Sequence, residues 1–232
     1  GTIRARLVVE GDVAPPKPLN ASSEAFCVDH KPMEKSVLVS DDGGLANVVV
    51  YLRAGRSGKV DVHPDYDGTA EEAITLDNHY CEFVPHVTLL RTTQPLEIKN
   101  SDPVGHNTKI DLRKNASFNQ TIPANASITF KAPKAEALLM PVNCSIHPFM
   151  QGHLLVLDHP YMIASAEDGT FEIKNVPAGK QEFQFWHEAP GYLKTVKFKG
   201  GSTNRQGRAD ITVADGQTVD LGDIKVPASV LK

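Results

Sequence analysis

Short runs of alternating apolar and polar residues recur along the chain, as in the Ser-Ile-Thr-Phe sequence at 127–130. Such alternation is typical of a β-strand with one buried face. A helical period does not persist over about ten residues anywhere, and the pattern predicts one short helix at 69–74, with Thr69 as its N-cap. The predicted fold class is therefore all-β. Other strand-like runs lie at 3–9, 46–52, 83–90, 96–99, 170–173 and 182–186.

The chain has 232 residues, enough for one large or two small domains. The stretch 56–68 is polar and rich in turn-forming residues, which makes it the best linker candidate.

Three residues with metal-binding side chains, Cys144, His147 and Met150, are spaced three apart. A thiolate and two imidazoles in one plane, with a weak axial thioether, suit copper in both oxidation states. The second imidazole must then come from elsewhere in the chain. All three residue types also occur in apolar cores, so a buried thiol, a hydrogen-bonded core histidine and a gap-filling methionine are the alternative. Zinc is less favoured, because structural zinc sites cluster Cys and His without Met.

A candidate for the second imidazole is His106, which follows a turn-rich segment at 100–105 and lies at the end of the predicted strand 96–99. The pair His106-Asn107, followed at a distance by Cys-x-x-His-x-x-Met, resembles the cupredoxins. The short His-Pro-Phe-Met form of the later motif looks most like the amicyanin and plastocyanin type.

The resemblance implies a Greek-key β-barrel at residues 75–158 that binds one copper ion per chain at a type 1 (blue) site. It implies that Asn107 and Ser145 contact each other and tie the two ligand loops together. It assigns the metal ligands as His106, Cys144 and His147 in the plane and Met150 on the axis.

His86 departs from the simple pattern of one upstream histidine. It lies on a predicted strand that runs close to the copper in cupredoxins, which makes it a candidate additional ligand. A second metal site shared by His86, His159 and His187 is one reading. Three ordinary histidines bonded to backbone or carboxylate groups are the other.

The remaining sequence resembles a transthyretin-like or carboxypeptidase-regulatory-like β-sandwich, through Asp-Gly-Thr-Phe at 168–171 and Pro-Ala-Gly at 177–179. This implies a discontinuous second domain, residues 1–58 and 159–232, with the cupredoxin-like domain inserted and residues 59–74 as a linker. The alternative is a simple series in which the first 60 residues add strands to the copper barrel.

The three cysteines divide into one pair and one ligand. If Cys144 binds metal, Cys27 and Cys81 remain and can form a disulfide, while two free buried thiols are the alternative. A disulfide is expected only outside the reducing cytosol. Because the chain begins at Gly1 without an initiator Met, we also expect a processed protein, in the periplasm or secreted.

The formal net charge of −4 offers no basic stripe of the kind that binds nucleic acid. No apolar run approaches the roughly 18 residues of a membrane span. The sequence also lacks a phosphate-binding loop and a dinucleotide fingerprint.

The predicted function is one-electron transfer rather than catalysis. The resemblance implies that His147 reaches the surface through an apolar patch built with Pro148 and Phe149, where a redox partner such as a cytochrome or a copper or quinoprotein enzyme approaches. The alternatives are a copper-dependent enzyme or sensor with a second site around His86, and a structural or binding module. The oligomeric state is left open by the sequence.

Overall fold

The computed structural model describes residues 1–21, 24–55 and 58–231. The predicted all-β class is confirmed: in these ranges the helical segments are α1, Ala25–His30, and the short 3-10 turns Pro64–Thr69 and Ala228–Val230. None of these helices is long and apolar enough to cross a bilayer. The strands are β1 Thr2–Glu10, β2 Val49–Leu52, β3 Ile74–His79, β4 Glu82–Val84, β5 Val87–Arg91, β6 Pro95–Asn100, β7 His106–Ile110, β8 Phe118–Ile122, β9 Ser127–Lys131, β10 Met140–Asn143, β11 Gln151–Leu157, β12 Met162–Ala164, β13 Thr170–Ile173, β14 Gly179–His187, β15 Gly191–Tyr192, β16 Lys197–Phe198, β17 Gly201–Ser202, β18 Arg208–Val213 and β19 Thr218–Pro227.

The chain divides into two compact units, each discontinuous in sequence. Unit 1 comprises Gly1–Pro16, Lys35–Asp65 and Tyr161–Lys232, and unit 2 comprises Lys17–Glu34 and Tyr66–Pro160. The boundaries drawn from the sequence put 17–34 with the first of these units, whereas the structure puts them with the second. Residues 56 and 57, in the predicted linker stretch, lie outside the described residues, as does Lys232.

Unit 1 contains two sheets. One has the order β13-β1-β19-β16-β17, with β1 and β19 parallel, and the other has the order β12-β2-β14-β15, with β18 pairing β14. Both sheets contribute fully buried apolar side chains, among them Ile3, Leu7 and Ile224 from the first and Val50, Phe183 and Phe185 from the second.

Unit 2 also contains two sheets, ordered β5-β11-β10-β7-β8 and β4-β3-β6-β9. The pairs β5/β11 and β3/β6 are parallel, and the other pairs are antiparallel. Alternate residues from both sheets meet in one apolar core, because alternation along a strand sends every second side chain to the same face. That core includes Leu76, Ile98, Ile110, Val142, Leu154 and Val156.

The short helix predicted at 69–74 is wrong. A 3-10 turn, Pro64–Thr69, ends where that helix was expected to begin, and β3 starts at Ile74. The Thr69 hydroxyl donates to the carbonyl of Tyr66 and accepts from the guanidinium of Arg91, so it is not available as an N-cap. The second half of the predicted 59–74 linker is thus bonded into unit 2.

The helix α1 was not predicted, because six residues are too few to show a helical period. Its Cys27 forms a disulfide with Cys81 in the turn between β3 and β4, with Cα atoms 5.5 Å apart. The disulfide inferred from the cysteine count is therefore present, and it attaches the 17–34 segment to unit 2.

The carboxylate of Glu136 is buried in unit 2 and organises a loop. It accepts hydrogen bonds from the backbone N–H groups of Arg113, Lys114 and Asn115 and from the Asn115 side chain, at 2.8–3.3 Å. Burial raises the pKa of Glu136, but these hydrogen bonds outweigh it and hold the pKa below the usual 4.5.

We expect Glu136→Gln to lower the free energy of unfolding by about 1–3 kcal/mol, because the new amide turns an N–H toward backbone donors. Because the folded-state pKa of Glu136 is depressed, its contribution is present above pH 4.5 and is lost as the pH falls through the folded-state value. Urea unfolding at pH 7 and at acid pH checks both points. An unchanged unfolding midpoint in the variant at pH 7 would contradict the prediction.

Candidate metal centre

The candidate ligands converge at one end of unit 2. His106 is the first residue of β7, and Cys144 follows the last residue of β10. These strands are antiparallel neighbours, with Asn143 opposite Lys109. The first residues of β7 and the last residues of β10 therefore lie side by side at the same end of the sheet. His147 lies in the loop between β10 and β11.

Three donor atoms lie within 4.8 Å of one another: a ring nitrogen of His106, Sγ of Cys144 and a ring nitrogen of His147. The Nδ1 atoms of the two histidines are 3.0 Å apart, and His147 Nδ1 is 3.9 Å from Sγ. His106 is fully buried, and Cys144 and His147 are 2% and 3% exposed. The three donors thus form a compact, water-shielded group.

The loop that carries Cys144 and His147 is closed by its own backbone. The N–H of Met150 donates to the carbonyl of His147 at 2.9 Å, and the N–H of Cys144 donates to the carbonyl of Met150 at 3.3 Å. The N–H of His147 points back to Sγ of Cys144, also at 3.3 Å. Met150 is 1% exposed and belongs to the same apolar core as Cys144.

Asn107 connects the two ligand segments. Its side-chain oxygen accepts from the N–H of Ser145 at 3.1 Å, which is the contact predicted from the sequence. Its own N–H donates to Sγ of Cys144 at 3.3 Å, and its amide donates to Asn119. The sulfur therefore receives two backbone N–H groups, from Asn107 and His147.

These contacts favour a thiolate at Cys144. Burial raises the pKa of Cys144, but hydrogen bonds from the His106 side chain and from backbone N–H groups outweigh burial and lower that pKa. Burial likewise lowers the pKa of His106, but hydrogen bonds to Asp102 and Cys144 raise that pKa to about 9. Both shifts favour a thiolate at Cys144 and an imidazolium at His106.

The pKa values of two neighbouring groups, His147 and Asp102, are also lowered. The pKa of His147 is lowered by its burial and by the charge of His106, so this imidazole stays neutral and keeps a lone pair to offer. For Asp102, burial raises the pKa, but hydrogen bonds from His106 and from the N–H groups of Cys81 and Tyr80 lower it overall.

The expectation that His147 lies at the surface is wrong. The residue is 3% exposed, while the adjacent Ile146 is 46% exposed. The Phe149 ring lies 5.8 Å from the His147 ring, and the charge of Glu24 acts on His147. Glu24 belongs to the 17–34 segment, whose place in unit 2 could not be read from the sequence, so its charge near His147 could not be anticipated.

His86 does not belong to the group of three donors. Its ring instead lies edge-on to that of His153, with ring centroids 6.0 Å apart. Among the described residues, the groups able to hold a metal do not include His159 or His187. Both are 1% exposed, and Nδ1 of His187 accepts from the N–H of Ala189. Among the described residues of unit 2, His86 and His159 do not belong to a common group of donors.

Asp102 is the site residue that sequence reasoning missed. It was seen only as part of a turn, yet its Oδ2 lies 2.8 Å from Nε2 of His106. The available signal was an acid four residues before a candidate ligand histidine.

The donor set fits a copper ion. Two ring nitrogens bound to one metal at about 2.0–2.1 Å each can be at most about 4 Å apart, and the Nδ1 atoms meet that condition at 3.0 Å. A thiolate and two imidazoles are the planar set that blue-copper sites use. The carboxylate on the far nitrogen of His106 is a typical partner of a metal-binding histidine.

Comparison with known proteins gives limited similarity. No protein-family model matches the chain, and no curated protein matches it. A copper-containing nitrite reductase (NirK) from Thermus scotoductus SA-01 is 20% identical over 36% of this chain and only 22% of its own chain, with a TM-score of 0.34. Amicyanin from Paracoccus versutus (Thiobacillus versutus) is 15% identical over 46% of this chain and 96% of its own, at a TM-score of 0.32. An amicyanin variant in its reduced Cu(I) form is also 15% identical, over 46% and 97% of the two chains, at a TM-score of 0.33. TM-scores this low do not assign a family.

Proposed function

We propose that this chain is a mononuclear type 1 copper protein that acts as a one-electron carrier. The observation that carries the proposal is the convergence of His106, Cys144 and His147 as three buried donors within 4.8 Å of one another. Met150, buried at the end of the same loop, is proposed as the axial ligand.

The chemistry of the donors favours copper. The lowered pKa of Cys144 favours the thiolate, and the lowered pKa of His147 favours the neutral imidazole. A soft thiolate with two imidazoles accommodates both Cu(I) and Cu(II), so the bound metal supplies a one-electron couple. The chain's own residues hold that geometry: Asn107 bonds to both ligand segments, and the loop from Cys144 to Met150 closes on itself.

Burial of the donors supports electron transfer over catalysis. A catalytic metal needs an open position for a substrate, whereas these donors are at most 3% exposed and Met150 is 1% exposed. Electron transfer requires no ligand exchange, and a rigid, dry site changes little between oxidation states.

The redox partner and the compartment are part of the same proposal. Ser145, Ile146 and Pro148 are the exposed residues of the ligand loop, so we infer that a protein partner, such as a cytochrome or a copper or quinoprotein enzyme, contacts them rather than the ring of His147. The disulfide between Cys27 and Cys81 favours an oxidising compartment such as the periplasm or the extracellular space.

A redox titration tests the proposed function. The copper-loaded protein should be reduced and reoxidised reversibly with one electron per chain and without turnover of added nitrite or oxygen. Steady consumption of either compound would show that the protein is an enzyme and not an electron carrier.

We expect Met150→Leu to keep the visible absorption and to raise the reduction potential. An axial thioether stabilises Cu(II) relative to Cu(I), and its loss favours the reduced ion. Met140→Leu is the matched control, because Met140 is also buried but lies in β10 outside the ligand loop. Voltammetry of both variants checks the prediction. Equal reduction potentials in Met150→Leu and the parent would refute Met150 as the axial ligand.

A further inference from the structure

Asp102 holds its carboxylate in the interior of unit 2, with 1% of the residue exposed. Its Oδ1 accepts from the N–H of Tyr80 at 2.7 Å, and its Oδ2 accepts from the N–H of Cys81 at 2.8 Å. The same Oδ2 is 2.8 Å from Nε2 of His106. A buried carboxylate is costly unless it is fully hydrogen-bonded, and these three contacts meet that need.

The turn that faces Asp102 has an unusual backbone. Tyr80 and Cys81 have φ values of 52° and 58°, and they form the two-residue connection between β3 and β4. Two-residue hairpin turns of this kind favour Asn-Gly, because side chains with a Cβ disfavour the left-handed region. The turn is held in this conformation from both sides, by the Asp102 carboxylate and by the disulfide from Cys81 to Cys27.

Asp102 is also fixed from its own side of the chain. Its N–H donates to the side-chain oxygen of Asn100 at 3.0 Å, and the Asn100 amide donates to the carbonyls of Val104 and Ile122. The carboxylate therefore lies on a turn that is held by hydrogen bonds. It connects the β3–β4 turn to His106, which is distant from that turn in sequence.

We propose that Asp102 is a positioning residue that clamps the ring of ligand His106 and couples it to the disulfide-bonded turn at Tyr80 and Cys81. This inference rests on the proposed copper function. With Nε2 held by Asp102, Nδ1 of His106 faces His147 at 3.0 Å and is presented to the metal. Opening the disulfide therefore makes the Tyr80-Cys81 turn more mobile, and with it the ring of His106.

Asp102→Asn tests the clamp, with Asp77→Asn as the matched control. Asp77 accepts from the N–H and the hydroxyl of Ser101, so it supports the same turn and is not bonded to His106. We expect Asp102→Asn to weaken Cu(II) binding about 10–100-fold, as loss of a carboxylate partner of a ligand histidine typically does. We also expect a higher reduction potential, because a negative charge that favours Cu(II) is removed. Asp77→Asn should retain the parent's affinity and potential.

A measurement on the metal-free parent protein needs no variant. In a nitrogen-15 NMR spectrum, the Nε2–H of His106 should give a slowly exchanging signal shifted downfield by its bond to Asp102. In Asp102→Asn this signal should move upfield and exchange faster, because a neutral amide oxygen is a weaker acceptor than a carboxylate, and in Asp77→Asn it should be unchanged. A rapidly exchanging Nε2–H in the parent would overturn the clamp even if Asp102→Asn failed to fold.

The coupling to the disulfide is tested by a double-mutant cycle on the Cu(II) dissociation constant. Cys27→Ala opens the disulfide without a substitution in the Tyr80-Cys81 turn itself. We expect Cys27→Ala to weaken copper binding in the parent and to have a smaller effect in the Asp102→Asn background, because coupled residues give non-additive effects. Strictly additive effects would overturn the coupling. A parent protein that shows no thiolate-to-copper absorption would instead refute the proposed function.

Discussion

Cys144→Ser is expected to abolish the visible thiolate-to-copper absorption completely and to leave the β-fold intact. The sulfur is the only soft anionic donor in the group formed with His106 and His147. A serine hydroxyl can still accept from the N–H groups of Asn107 and His147, which now donate to Sγ at 3.3 Å. The fold is therefore retained while the copper chemistry is lost. Visible absorption and circular dichroism of the copper-treated variant check both parts.

Ser145→Ala is the control for this experiment. Ser145 is exposed and is bonded to Asn107 through its backbone N–H, which alanine keeps. This variant should retain the absorption. A visible band that survives in Cys144→Ser would refute Cys144 as the ligand.

The second large effect is expected from the disulfide. Replacing Cys27 and Cys81 by alanine should lower the free energy of unfolding of unit 2 by about 4 kcal/mol, since the bridge closes a long loop in the unfolded chain. The two residues are 54 positions apart and both are fully buried. Amide hydrogen exchange at Ile98 and Leu154, in the core of unit 2, measures the change in metal-free protein.

The metal-free state matters in this comparison, because copper that binds only the folded protein would add its own stabilisation. The parent protein treated with reductant should approach the stability of the double variant. A change below about 1 kcal/mol, well under the expectation for a loop of this length, would show that the bridge contributes little to unit 2.

Local patterns were sufficient to predict much of this protein. Alternation along segments such as 127–130 identifies strands, because a period of two is set by the geometry of an extended backbone. Side-chain chemistry and spacing were enough to single out Cys144, His147 and His106, which the fold then brings together. The contact between Asn107 and Ser145 was also anticipated from the resemblance to cupredoxins.

The features that were not predicted depend on contacts between distant segments. The helix α1 is short and held by a disulfide to Cys81, so neither its existence nor its place in unit 2 follows from its own sequence. Asp102 acquires its role from a turn more than 20 residues earlier, as the bonds to Tyr80 and Cys81 show by separations of 22 and 21 residues.

The central claim is tested most directly by the optical and electron-paramagnetic-resonance spectra of the oxidised, copper-loaded protein, with copper per chain counted on the same sample. One copper per chain, an intense visible thiolate band and a type 1 hyperfine pattern are the predicted result. More than one copper per chain, or one copper without a thiolate band, would contradict a mononuclear type 1 site formed by His106, Cys144 and His147.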